Sequence, residues 1–156
     1  MNKRHDILRV CASIRRAANP LFAEKVEIYY GPELEKGSGP EVLQLRRQGA
    51  HFYWVAVPLG SFPFWELHVG AVVNPESLRV RLGIHCLASA RTAYDAFESL
   101  KTFCRAQGLE AYYSPAAGES QYVSSERLAD APETARDVAG DLFKLYDLAS
   151  KSLRIV

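Results

Sequence analysis

The chain has 156 residues, of which 48% are hydrophobic and 24% charged, with a formal net charge of +1. That is the size and composition of one globular domain spanning residues 1–156, large enough to bury a core without disulfides or metal. The near-zero charge balance excludes a bulk basic signal for nucleic acid or membrane surfaces, and it excludes an acidic tail.

The N-terminal segment is interrupted by Asp6, Arg9, Arg15 and Arg16, which break every apolar run that a secretory signal would need. No window approaches the ~18 consecutive apolar residues of a membrane span. The expectation is therefore a cytoplasmic protein with no membrane contact. The cysteines Cys11, Cys86 and Cys104 are odd in number, widely spaced and form no CxxC. That argues against a disulfide framework or a structural zinc site and for free, buried thiols.

In chain order, Ile7, Val10, Cys11 and Ile14 recur at helical spacing, which predicts a helix over 4–18 that Asn19-Pro20 ends. Residues 26–30 (VEIYY) read as a strand. Residues 31–41 are rich in glycine, proline and charge and read as a loop, long enough to serve as a lid or a partner contact. Gly37-Ser38-Gly39 lacks the third glycine of a dinucleotide fingerprint, because position 42 is Val.

Residues 42–87 read as a four-stranded antiparallel meander. A turn at Gln48-Gly49 would pair Leu45 with Phe52 and Leu43 with Trp54. A two-residue turn at Gly60-Ser61 would place Pro58 opposite Pro63, Ala56 opposite Trp65, Trp54 opposite Leu67 and Phe52 opposite Val69. A connection at Asn74-Pro75-Glu76-Ser77 would pair Val73 with Leu78. Strand alternation then collects Leu43, Phe52, Trp54, Trp65, Leu67, Val69, Leu82, Ile84 and Cys86 on one apolar face. The opposite face collects Gln44, Arg46, His51, Tyr53, Glu66, His68, Arg79, Arg81 and His85, which brings three of the chain's four histidines onto one side.

Beyond the meander, residues 89–108 read as a helix with Tyr94, Phe97, Leu100, Phe103 and Cys104 as its buried stripe and Gly108 as its C-terminal cap. Residues 109–113 and 121–124 read as short strands. A last helix starts near Pro132, with Asp130 as its cap, and buries Ala135, Val138, Leu142, Leu145, Tyr146 and Ala149. The resulting class is α+β: a mostly antiparallel sheet with helices packed on its apolar face.

The polar face carries the functional expectations. Glu66 and the histidines are too spread out for a metal motif, and Arg79 and Arg81 disfavour a cation, so no metal and no cofactor is expected. Cys86 adjoins His85 but points to the other face, which removes a Cys/His nucleophile. Tyr, His and Arg on a rigid sheet are residue types favoured at interfaces. The hairpin tip 58–64 adds Phe62 and Phe64, apolar side chains that a polar tip would not need.

In element order the chain is similar to small secretion chaperones and some toxin-immunity proteins, which bind a partner and catalyse nothing. That similarity implies a small non-catalytic module, of immunity, antitoxin or chaperone type, that binds a partner protein such as a toxin or effector. The expected contact residues are Arg46, His51, Tyr53, Phe62, Phe64, Glu66, His68, Arg79, Arg81 and His85. The alternative is a nucleic-acid-binding domain using the same face, with Tyr53 and the imidazoles stacking on bases and the arginines on phosphates. A third reading is an enzyme with a Glu66–His85 acid–base pair.

Overall fold

A computed structural model describes residues 3–23, 25–31, 52–63, 66–74, 77–87, 90–114, 119–125, 127–128 and 132–155. The protein is α+β. Its helices are α1 (Lys3–Ala18), α2 (Arg91–Ser99), α3 (Lys101–Ala106) and α4 (Pro132–Ile155), with a 3-10 turn at Asn19–Phe22. Its strands are β1 (Glu27–Gly31), β2 (Phe52–Pro58), β3 (Leu67–Val73), β4 (Arg79–Leu87), β5 (Glu110–Ser114), β6 (Glu119–Val123) and β7 (Arg127–Leu128). They form one antiparallel sheet in the order β1-β2-β3-β4-β6-β5, with β7 also on β4.

The helices follow their apolar periodicity. Ile7, Val10, Cys11 and Ile14 of α1 are buried, as are Phe97, Leu100 and Cys104 of the central helices and Val138, Leu142 and Ala149 of α4. The helix expected over 89–108 is broken at Leu100, whose φ −89° and ψ 0° leave helical geometry for one residue before α3 resumes. Gly108 adopts φ +76°, the left-handed conformation that glycine tolerates at a helix end. At the other end of the chain, Asn19 Oδ1 accepts the Val26 N–H and Arg15 Nε donates to the Val26 carbonyl. These two bonds fix how the chain leaves α1 and enters β1.

The four-stranded meander is present, but its first strand is β1. Trp54 pairs with Tyr29 on one edge and Val72 on the other, so the expected partnership of Trp54 with Leu43 does not form. Residues 42–48 lie outside the described residues, as do the caps and turns expected at Gln48-Gly49 and Asp130.

The β2–β3 register is the main correction. Trp54 faces Val72 rather than Leu67, and Ala56 faces Gly70 rather than Trp65. The offset is five residues. An odd offset turns every β2 side chain to the other side of the sheet relative to β3. The cause is the connection. The expected tight turn at Gly60-Ser61 is replaced by residues 59–66, which are closed by the Glu66 and Leu67 amides donating to the Pro63 carbonyl and by the Leu59 amide donating to the Leu67 carbonyl. Pro58 therefore sits opposite His68, not Pro63.

The β3–β4 register shifts by two, with Val73 opposite Val80 instead of Leu78. An even shift preserves the faces. Here Leu78 takes a left-handed conformation, φ +59°, and donates its amide to the Asn74 carbonyl, while the Asn74 amide donates to the Arg79 carbonyl, which keeps Leu78 in the turn and makes Arg79 the first residue of β4.

Two unequal cores result. The larger lies between the sheet and the helices. It contains Tyr53, Val55 and Val57 of β2, Leu67, Val69, Ala71 and Val73 of β3, and Val80, Leu82, Ile84 and Cys86 of β4. Fully burying one such aliphatic side chain contributes about 1.5–3 kcal/mol, so this layer dominates stability. The smaller core, on the opposite face, is Trp54, Ala56, Val72 and Val123.

Beyond β6, the chain between Val123 and Arg127 holds one residue more than the β4 segment it faces. This is a bulge. Ser124 fills it: its amide donates to the Leu82 carbonyl, and its Oγ accepts the Leu82 N–H at 2.9 Å. The side-chain oxygen thus substitutes for a backbone carbonyl that the bulge has displaced.

Candidate functional site

The face expected to carry function divides into three parts. His68 and His85 do share it, as strand alternation requires, and they are direct cross-strand partners. Their rings stack at 4.7 Å and 19°. Yet they are 0% and 4% exposed, so they are packing residues in this fold rather than a contact surface. The reversed β2 explains this. Trp54, expected in the main core, lies on the imidazole side. Its indole meets His68 edge-on at 4.6 Å and His85 at 5.5 Å.

The indole reaches that row because the row between is small. Ala56, Gly70 and Gly83 stand opposite one another across three strands. A methyl group added at Gly70 would lie 2.9 Å from Cε3 of the indole and 2.7 Å from the Val55 carbonyl oxygen. Gly70 leaves a trough in which Trp54 lies, while the close neighbours of Gly83 are Tyr122 and Val123. Ring pairs of this kind contribute about 0.5–1.5 kcal/mol each beyond area burial.

Tyr53 moves the opposite way. It was expected on the polar face; it is 5% exposed in the main core, a consequence of the same odd register shift. Arg81 is half-buried and its Nη1 donates to the Ser124 carbonyl at 2.9 Å, bracing the bulge, while Arg79 is exposed. Glu66 is half-buried at the start of β3. Phe62 is half-buried and packs against the main core. Arg46, His51 and Phe64 lie outside the described residues.

The cysteines are buried and free. Burial pushes each of the Cys11, Cys86 and Cys104 thiols up to about 12, with the Glu66 and Glu98 carboxylates adding to the effect at Cys86. Thiols held in this protonated form are poor nucleophiles and poor metal ligands. Among the described residues, no three His, Cys, Asp or Glu side chains are grouped so as to hold a metal ion. Among the same residues, no helix is long and apolar enough to cross a membrane.

A concave site lies at the end of β2. It is a pocket of about 290 Å³ walled by the 3-10 turn (Leu21, Phe22), the strand end (Val57, Pro58, Gly60) and α4 (Phe143, Tyr146), with Lys25 at its side. Phe22 is its floor. This ring is 7% exposed and contacts Phe143 at 5.5 Å, tilted by 60°, and Tyr146 at 5.2 Å, edge-on. Leu21 and Phe143 stand 44% and 40% exposed beside it. The wall between Phe22 and Lys25 is held by Ala23 at φ +53°, a left-handed conformation that costs a residue with a Cβ about 1–2 kcal/mol. The Ala23 amide closes the turn on the Asn19 carbonyl, and the Lys25 amide donates to that of Phe22.

Sequence reasoning reached part of this site, the tip at Pro58 and Gly60, but missed Leu21, Phe22, Lys25 and Phe143. One signal was present. Phe143 is a large apolar residue that falls off the buried stripe of α4, next to Leu142. No family model matches the chain, and no curated protein or solved structure matches it either.

Proposed function

We propose that this protein is a non-catalytic module of immunity, antitoxin or chaperone type that binds a partner protein at the tip end of its sheet. The observation that carries the reading is the aromatic pocket beside Pro58 and Gly60, flanked by exposed Leu21 and Phe143. At about 290 Å³ it stands at the small end of ligand sites, which run from about 300 to 1,000 Å³. It suits a side chain better than a nucleotide or a cofactor. Clustered exposed apolar side chains around an aromatic floor are the usual form of an interface anchor.

The other two readings lose the groups they relied on. Base stacking on the sheet face needed an exposed Tyr53 and exposed imidazoles, and Tyr53, His68 and His85 are buried. An acid–base pair needed a solvent-reachable His85, which is 4% exposed.

The test places a photo-crosslinking amino acid at Phe143, and separately at the exposed α3 residue Lys101, in cells of the source organism. The expected result is one protein crosslinked from position 143 and not from 101. That protein, purified, should bind the wild-type chain in calorimetry with one-to-one stoichiometry. A partner that crosslinks equally from both positions, or that binds the Phe143→Ala protein unchanged, would defeat the proposal.

A further inference from the structure

The pocket has a charge asymmetry that narrows what it accepts. Of the described residues lining it, Lys25 is the one that carries a formal charge at neutral pH; the others are aliphatic, aromatic or backbone. Lys25 is exposed, and no carboxylate pairs with it among the described residues. Its charged neighbours in the described chain are two arginines of α1 and the exposed Glu27 at the start of β1. Arg15 lies against the Val26 carbonyl, one residue along the chain, and Arg16 is exposed in the same last turn of α1. On α4, the carboxylate of Asp147, next to Tyr146 in the chain, is engaged by Lys151 at 2.9 Å. An apolar hole with one exposed ammonium at its side is complementary to an apolar side chain that has a carboxylate next to it.

We infer that the pocket anchors an acidic segment of the partner protein, with one large apolar side chain seated among Phe22, Phe143 and Tyr146 and a neighbouring Asp or Glu carboxylate on Lys25. The inference rests on the partner-binding reading and specifies the chemistry of that same site. The pocket volume admits one such side chain, so the segment carries a single anchor at this site, and its flanking residues lie over the tip.

The probe is a displayed library of random twelve-residue peptides, panned on the full-length protein with counter-selection on the Phe143→Ala protein. The expected enrichment is of peptides with Leu, Phe or Trp within two residues of Asp or Glu. A synthetic peptide of that kind should bind at least about tenfold more weakly to Phe143→Ala, given the loss of one buried apolar contact. Lys25→Glu should weaken it by a similar factor and Lys25→Gln by less, with affinity falling as salt is raised. Lys25 is exposed, so its variants should melt at the wild-type temperature. Phe143→Ala also gives up its ring contact with Phe22, a stabilising aromatic pair, so its binding is measured well below its own melting transition, which separates lost binding from lost folding. Enrichment of basic or uncharged peptides that still need Phe143 would overturn the acidic segment while leaving partner binding at the pocket intact. No enrichment over the counter-selection would overturn the anchor itself. A micromolar dimer in sedimentation that Phe143→Glu abolishes would also overturn it, because the occupant would then be a second copy of the chain.

Discussion

Replacing Gly70 with alanine adds one methyl group, and the structure dictates what that group meets. The new carbon would lie 2.7 Å from the Val55 carbonyl oxygen, 2.9 Å from Trp54 Cε3 and 3.2 Å from the Ala56 Cα. Two of these three neighbours are backbone of the adjacent strand and cannot swing away. Overpacking a tight site costs about 1–3 kcal/mol, and immovable neighbours place Gly70→Ala in the upper half, about 2–3 kcal/mol. Gly83→Ala should cost at least as much, because its methyl would run into the Tyr122 carbonyl oxygen and lie 2.6 Å from Val123 Cγ1.

The control is the same chemical change on α4. A methyl at Gly140 meets nothing within 4 Å, and glycine within a helix is about 0.8–1 kcal/mol less favourable than alanine. Gly140→Ala should therefore stabilise by about 0.5–1 kcal/mol. The assay is urea unfolding of the three variants followed by far-ultraviolet circular dichroism, with thermal melts alongside. At about 2–4 °C per kcal/mol for a domain of this size, Gly70→Ala should melt about 5–10 °C below wild type. In a Trp54→Leu background the penalty should shrink, because part of the clash is with the indole. Wild-type stability of Gly70→Ala would refute the trough and, with it, the reversed β2 register that lays Trp54 over Gly70.

Two further predictions concern the bulge and the thiols. Ser124→Ala removes the acceptor of the Leu82 N–H, and stranding a buried donor costs about 1–3 kcal/mol; Ser124→Thr keeps the oxygen and should retain most of that stability, and equal unfolding midpoints for all three proteins would refute the capping role. The three thiols are raised from about 9 to about 12 by folding, so between those values the native state holds protons that the unfolded state has released. Stability should accordingly be intact below pH 9 and decline as pH rises above it, by up to about 1.4 kcal/mol per pH unit for each thiol. At pH 8, where stability is intact, the native protein should resist iodoacetamide until it is unfolded; rapid alkylation there would show a thiol that is not buried.

The helices were legible because their signal is local. Ile7, Val10, Cys11 and Ile14 repeat every turn, and that repeat means the same thing whatever the helix packs on. The strands β3 and β4 were legible for a related reason. Their alternation is strict, so Leu67, Val69 and Ala71 face one side with Leu82, Ile84 and Cys86, even though the pairing itself was off by two. Strand β2 was not legible. Its sequence, FYWVAVP, is apolar on both faces, so alternation could not say whether Tyr53, Val55 and Val57 or Trp54 and Ala56 faced the helices. The decision fell to a turn whose length was underestimated.

The pocket beside Pro58 shows what lies beyond any local reading. Its walls come from Leu21, Phe22, Ala23 and Lys25, from Val57, Pro58 and Gly60, and from Phe143 and Tyr146, and nothing in those three stretches refers to the others. The sequence by itself determined the class of fold, the buried state of the thiols and the sharing of one sheet face by His68 and His85, because each follows from periodicity and composition. Only the tertiary structure decided that those imidazoles are buried under Trp54 and that the concave surface lies at the end of β2. Both depend on which strands pair and in what register, and that is settled by the packing of whole faces against each other rather than by any one segment.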